Sequence, residues 1–288
     1  MNGNALSYDF KNQRLALGVE FEDYLRGEPL AFPVRVEIER GLPHPSPLSK
    51  HFYAFKQLGT KAPYGLLRHA TGRYSLSYYA GIKDSIDLRT YDHERIYVPR
   101  RLRVPLRTLA EVMTIEENEV SDYFLGRVRE VVLFPGASYH NHSLATGLRG
   151  RVLRNGEVMR WAYVEARDLI TNSIVSRARG DDRGEFLLVL PPHAVPGSDL
   201  TASIDVRVSV AGPAIEPVPG SADLPALDSY WDLPLEQLPI IGAVDNVANG
   251  ESFPIGFVTA LSSVRTVNFI AGQMLTGREV SDFDFFLP

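Results

Sequence analysis

The stretch ARGDDRGEFLLVLPP, residues 178–192, sets two glycines, two adjacent aspartates and two arginines directly before an apolar run. It has two readings. Arg179-Gly180-Asp181 could open a cradle for an anion or a metal, or the same residues could begin the turn between two strands, the second running through Glu185 to Leu190. The choice matters because little else in the chain has the look of a reactive site.

Composition narrows the field around this stretch. A chain of 288 residues has room for two or three domains, each with its own core. Its 44% hydrophobic and 23% charged residues are those of a soluble globular protein, and no apolar run approaches the roughly 18 residues of a membrane span. The lack of cysteine excludes disulfide frameworks, thiolate nucleophiles and thiolate metal sites. A net charge of −5 supplies no field for gathering nucleic acid. The first residues mix polar and charged side chains where a secretory signal needs a continuous apolar core. A cytoplasmic protein with no nucleic-acid partner and no membrane insertion is expected. One local basic cluster stands out, Arg100, Arg101, Arg103 and Arg107. Alternation along a strand places Arg101, Arg103 and Arg107 on one face and Val98, Leu102, Val104 and Leu106 near the other, which reads as a solvated strand face, with a docking or phosphate surface as the alternative.

The 20 prolines and 23 glycines are scattered between short runs rich in Val, Ile, Leu, Tyr and Phe, the pattern of many strands joined by turns. The expected class is mainly β, as tandem sandwiches with a short helical linker. Residues 1–106 read as an N-terminal sandwich whose strand candidates are LALGVEF, PVRVEIER, HFYAFKQL, GRYSLSYY, SIDLRTY and RRLRVPL. Residues 107–143 read as a partly helical linker, since Leu109, Val112, Met113 and Ile115, then Val120, Tyr123, Phe124 and Val128, approximate a helical stripe. Residues 144–212 read as a second sandwich, opened by a hairpin at Asn155-Gly156 and closed by the alternating run Ser203 to Val210. Residues 213–239 are too rich in proline for regular structure and read as an extended arm. Residues 240–288 read as a final β segment.

The second block resembles the carboxypeptidase regulatory-like domain, a transthyretin-like, immunoglobulin-like sandwich. Gly150-Arg151-Val152, Asn155-Gly156, Trp161-Ala162-Tyr163-Val164 and Asp181-Asp182-Arg183-Gly184-Glu185-Phe186 carry the resemblance over some 65 residues. In that family the Asp-x-x-Gly-x-Phe element is a hairpin turn. The resemblance therefore implies that Asp181 accepts bonds from turn amides, Gly184 takes the left-handed conformation and Phe186 returns to the core. The first block resembles a more diverged copy of the same plan: Arg26-Gly27-Glu28 parallels Arg154-Asn155-Gly156-Glu157, and Gly72-Arg73-Tyr74 parallels Gly184-Glu185-Phe186.

Known chemistry on such sandwiches finds no match here. The chain ends DFDFFLP, whereas hydroxyisourate hydrolases end in Tyr-Arg-Gly-Ser, and the paired tyrosines and histidines of intradiol dioxygenases have no counterpart in order. His140 and His142 could offer two imidazoles to one metal, but two ligands do not close a site. Glu116, Glu117 and Glu119 read as exposed carboxylates, and Asp282 and Asp284 as the polar face of an edge strand. No catalytic residue, cofactor or metal is assigned, and a non-enzyme is expected. Tyr230, Trp231 and Leu233 in the arm and Phe283, Phe285 and Phe286 in the tail are too apolar for inert segments, so contact with another domain or another protein subunit is expected from them. Asn155, Gly156, Asp181 and Gly184 are expected to be structural turns. The layout weakly resembles accessory proteins of phage-tail-like contractile injection particles, which implies protein subunits of a large particle as partners and allows a homo-oligomer. The rival reading is a glycan-binding or adhesin-like module stacking sugars on Tyr74, Tyr78, Tyr79, Trp161 and Trp231.

Overall fold

The computed structural model describes residues 14–30, 32–39, 66–79, 82–118, 127–141, 144–191, 203–218, 228–240, 245–276 and 283–287. In chain order the first elements are β1 (Leu15–Asp23), β2 (Glu28–Pro29), β3 (Arg35–Glu39), β4 (Leu67–Arg68), β5 (Tyr74–Ser77), β6 (Ser85–Tyr91), β7 (Arg100–Pro105), helix α1 (Leu109–Glu117) and β8 (Val128–Leu133). There follow β9 (Thr146–Arg154), β10 (Glu157–Val158), β11 (Tyr163–Asp168), β12 (Ile174–Arg179), β13 (Glu185–Leu190), β14 (Ser203–Pro213), β15 (Leu235–Gln237), β16 (Phe257–Ile270), β17 (Met274–Thr276) and β18 (Asp284–Leu287). The protein is mainly β, with a short helix that joins β7 to β8.

Each sandwich closes two sheets over one core. In the first, a sheet of order β2-β1-β5-β4, with β8 parallel to β1 on the opposite edge, faces a sheet of order β15-β7-β6-β3. In the second, β10-β9-β13, with β17 and β18 parallel to the free edge of β9, faces β12-β11-β14-β16. Leu17, Phe21, Leu76, Leu88 and Leu102 share the first core, and Leu148, Val164, Phe186, Val208, Phe269 and Phe285 the second. Both follow one strand plan. The hairpin β1–β2 corresponds to β9–β10, the antiparallel partner β5 to β13, the parallel partner β8 to β18, and the antiparallel path β3-β6-β7 to β11-β14-β16.

Local chemistry sets the turns. Asn155 and Gly156 sit at φ 51° and 83° between β9 and β10, the pair of positive angles that a two-residue turn between twisted strands requires. Asp168 ends β11 by accepting from the amides of Ile170 and Thr171 at 2.9 and 2.7 Å. Thr108 and Glu111 form a capping box at the start of α1.

The two sandwiches share side chains. Along β13, Phe186, Leu188 and Leu190 point into the second core, while Leu187 and Val189 on the other face join the first. The run is continuously apolar because both its faces are covered. Tyr24 stacks on Phe134 at 4.5 Å and its hydroxyl accepts from the amide of Arg177 at 2.9 Å.

Several segments differ from their sequence reading. The stretch 128–133 forms β8, whose burial alternates as it pairs in register with Gly18 to Asp23; valines at 128, 131 and 132 suit a pleated strand, and pairing with β1 prevails over the helical spacing. Residues 235–237 of the arm enter the first sandwich as β15, and residues 257–270, 274–276 and 284–287 join the second as β16, β17 and β18. The candidate strand HFYAFKQL lies outside the described residues.

Candidate functional site at the junction of the sandwiches

Residues 228–238 strap the two sandwiches together. Asp228 accepts from Arg89 of β6 at 2.6 Å. The Tyr230 ring then lies 5.6 Å from Tyr91 on the first sandwich and 5.9 Å from Trp161 on the second. Leu233 is buried with Val98 and Trp161, and the Trp161 indole N–H donates to Asp232 at 2.8 Å. The strap ends as β15, parallel to β7, with the Leu238 amide donating to the Arg103 carbonyl at 3.0 Å. Proline suits this path because an edge segment between two bodies needs few ladder bonds of its own. Trp161 itself sits at φ 59°, a left-handed conformation that costs an aromatic residue about 1–3 kcal/mol and persists only where its surroundings hold it.

Beneath the strap is a buried ionic centre. Arg100 donates through Nε and Nη2 to both oxygens of Glu236 at 2.9 and 2.8 Å, and through Nη1 and Nη2 to the carbonyls of Val132, Ala248 and Val247. All five of its N–H groups are thereby used. Arg179, from the second sandwich, lies with its guanidinium carbon 3.0 Å from the centroid of the Tyr163 ring and 4.8 Å from that of Phe134. Its Nη2 donates to Gly250 O at 3.1 Å and stands 3.8 Å from Glu236. Burial pushes the Arg179 pKa well below the usual arginine value, with Glu236 opposing that shift and Arg100 adding to it.

The Asp181 turn closes the junction on one side. Asp181 Oδ1 accepts from the amides of Arg183 and Glu185 at 2.8 and 3.0 Å, Gly184 sits at φ 69° and Phe186 is buried. A side chain at Gly184 would meet the Val152 and Met159 carbonyls at 2.8 and 2.9 Å, so glycine answers both the angle and the space. Arg179 and Asp181 are 4% and 3% exposed, which leaves the Arg-Gly-Asp triplet facing inward. The adjacent Asp182 takes a bidentate pair from Arg95 on the first sandwich.

A second buried polar group lies within the first sandwich. Asp23 accepts from the hydroxyls of Tyr97 and Tyr139 at 2.9 and 2.7 Å and from the Leu25 and Arg26 amides. Burial, with the Asp23 hydrogen bond and charge, raises the Tyr139 pKa to about 12 and raises that of Tyr97 as well. Burial and Glu37 raise Tyr91 to about 12. These groups are neutral in the fold and ionise first in the unfolded chain, so their contribution is complete below the unfolded value near 10 and is lost as pH climbs towards about 12. Unfolding free energy followed against pH should fall through that window, and less so in Tyr139→Phe; a flat profile there would contradict the burial of these hydroxyls.

A groove of about 1020 Å³ opens beside β15, lined by Asp84, Arg107, Thr108, Leu238, Ile240 and Ile255. Ile240 and Ile255 are 80% and 93% exposed. Ala214 N donates to Gly256 O at 2.8 Å, which brings the exposed Ile215 to the same end of the sheet.

The residues singled out by sequence take varied places. Tyr230 and Trp231 are half-buried and Leu233 is buried, all in the strap. Phe285 is fully buried and Phe283 half-buried against the second core, while Phe286 on the other face of β18 is 51% exposed. Their first partner is this chain itself, since β18 completes the sheet edge at β9. Asp284 pairs with Arg151. Arg101 and Arg103 pair with Glu39 and Asp87, so the basic face is neutralised across strands. Of the aromatic set considered for sugar stacking, Tyr74 and Trp161 are buried and Tyr78, Tyr79 and Trp231 half-buried. His140 is exposed, whereas His142, Glu119 and Asp282 lie outside the described residues. Among the described residues no group of three potential metal ligands converges, and no helix is long and apolar enough to cross a membrane. Sequence reasoning missed Glu236 and the convergence of Arg100 and Arg179 on it. Arg100 shares strand parity with Leu102 and Val104, and Arg179 stood in the stretch weighed as an anion cradle, but nothing in the sequence joined either to Glu236. The chain matches no protein family, no curated protein and no solved structure.

Proposed function

We propose that the chain is a non-enzymatic structural or assembly protein that holds other protein subunits, of the kind that accompanies phage-tail-like contractile injection particles assembled in the cytoplasm. The observation that carries this reading is the pair of exposed isoleucines, Ile240 and Ile255, that line the groove beside β15. Exposed apolar surface rimmed by polar residues such as Asp84, Arg107 and Thr108 is the composition of a protein contact. The unit that presents it is well suited to bearing load, because a strap, a shared core strand and buried ion pairs restrain its two halves. A carboxypeptidase regulatory-like ancestry for both sandwiches accords with their common strand plan.

Density-gradient sedimentation of the native protein from cell lysate, with mass spectrometry of the fractions, tests the reading. Migration with a large particle is expected, and Ile255→Asp should release the protein to the light fractions while leaving its unfolding midpoint within the range of ordinary surface changes, about 0.5 kcal/mol. A wild-type protein found only as a free species would overturn the particle reading, and specific retention by immobilised glycans would favour the adhesin-like one.

A further inference from the structure

The ionic centre under the strap is incomplete as it stands. Arg100, Arg179 and Glu236 line a cleft of about 20 Å³ together with Trp161, Tyr163 and Leu233. Two guanidiniums and one carboxylate leave one positive charge, and Glu236 gives both its oxygens to Arg100 at hydrogen-bond distance while standing 3.8 Å from Arg179. Arg179 Nη1 is buried and has no hydrogen-bond partner. An arginine does not shed its proton at ordinary pH, and a buried N–H of a charged group left without an acceptor is among the costlier defects a fold can carry.

We infer that this cleft binds a single halide ion, chloride under physiological conditions, accepting from Arg179 Nη1 and neutralising the surplus charge between the sandwiches. Size selects the class. A volume of about 20 Å³ suits one water-sized or monatomic guest. Charge selects within it, because water would satisfy the N–H but leave the net charge buried. The walls bring no further carboxylate to take that role: Tyr163 stacks on Arg179 by its face, Leu233 is apolar and Trp161 spends its N–H on Asp232. The ion would couple strap, first sandwich and second sandwich through one point.

The wild-type protein suffices for the test. Crystals grown or soaked in bromide should show an anomalous peak within hydrogen-bond distance of Arg179 Nη1. In solution at fixed ionic strength, replacing gluconate stepwise by chloride should raise the folding equilibrium constant, approaching tenfold per tenfold chloride beyond half-saturation. Ordinary density at that position without anomalous signal would identify a water and overturn the assignment, as would an unfolding midpoint indifferent to the exchange of gluconate for chloride.

Discussion

Replacing Glu236 by Gln should lower the unfolding free energy by about 3–5 kcal/mol in urea, the range for removing one partner of a buried ion pair. The substitution keeps volume and shape, so the loss isolates charge and hydrogen bonding. Glu236 is 4% exposed and Arg100 2%, and the carboxylate receives two N–H bonds from Arg100 with Arg179 at 3.8 Å. A glutamine turns its amide N–H₂ towards a guanidinium N–H, donor against donor, and leaves two buried cations with no anion from the protein. The same residue lies in β15, so loosening it should also free the strap: Trp161 fluorescence is expected to shift towards that of exposed indole below the global transition. A loss under about 1 kcal/mol, the value of an exposed pair, would mean that solvent reaches the centre and that the strap is held by its apolar contacts alone.

Little of this centre was legible in the sequence, and the reason is separation. Arg100 and Glu236 are 136 positions apart, and neither stands in a local pattern that names the other. Strand alternation placed Arg101 and Arg103 on one face of β7; the same parity sets Arg100 with Leu102 and Val104, which the reading of the cluster as a solvated face left unused. A basic cluster of four invites a surface reading, yet one of its members is the best-bonded buried cation in the junction. Turns behaved differently, because their chemistry is local: the angles at Asn155, Gly156 and Gly184 and the bonds to Asp181 follow from residues within a few positions of one another. The tail's alternation of Phe283, Phe285 and Leu287 was legible as a half-buried strand, but its seat on β9 was not, since parallel edge pairing carries no short-range signal. The stretch before Leu133 shows the opposite failure. Its apolar spacing fits a helix as well as a strand, and only the presence of β1 decides.

The same limit applies to the run that opened the problem. EFLLVL announces a strand with no polar face, and periodicity cannot say what covers the second face. The structure assigns it to the first sandwich, and this makes a large, non-local effect measurable. Leu187 and Leu188 are adjacent, both fully buried, and belong to different cores. Truncating either to Ala should cost about 2–5 kcal/mol, as for leucines in closely packed interiors. Amide hydrogen exchange separates them. Leu188→Ala should loosen β11 and β14, the strands that share its core, whereas Leu187→Ala should raise exchange in β1 and β5 of the other sandwich while β11 and β14 keep their protection. Such a crossed pattern means that the first domain's stability is set partly by a residue of the second, so neither should reach full stability when expressed alone. If Leu187→Ala instead leaves β1 and β5 unchanged and perturbs only β13 and its own sheet, the shared strand is a contact between two independent bodies, and the coupling rests on the strap and its ionic centre.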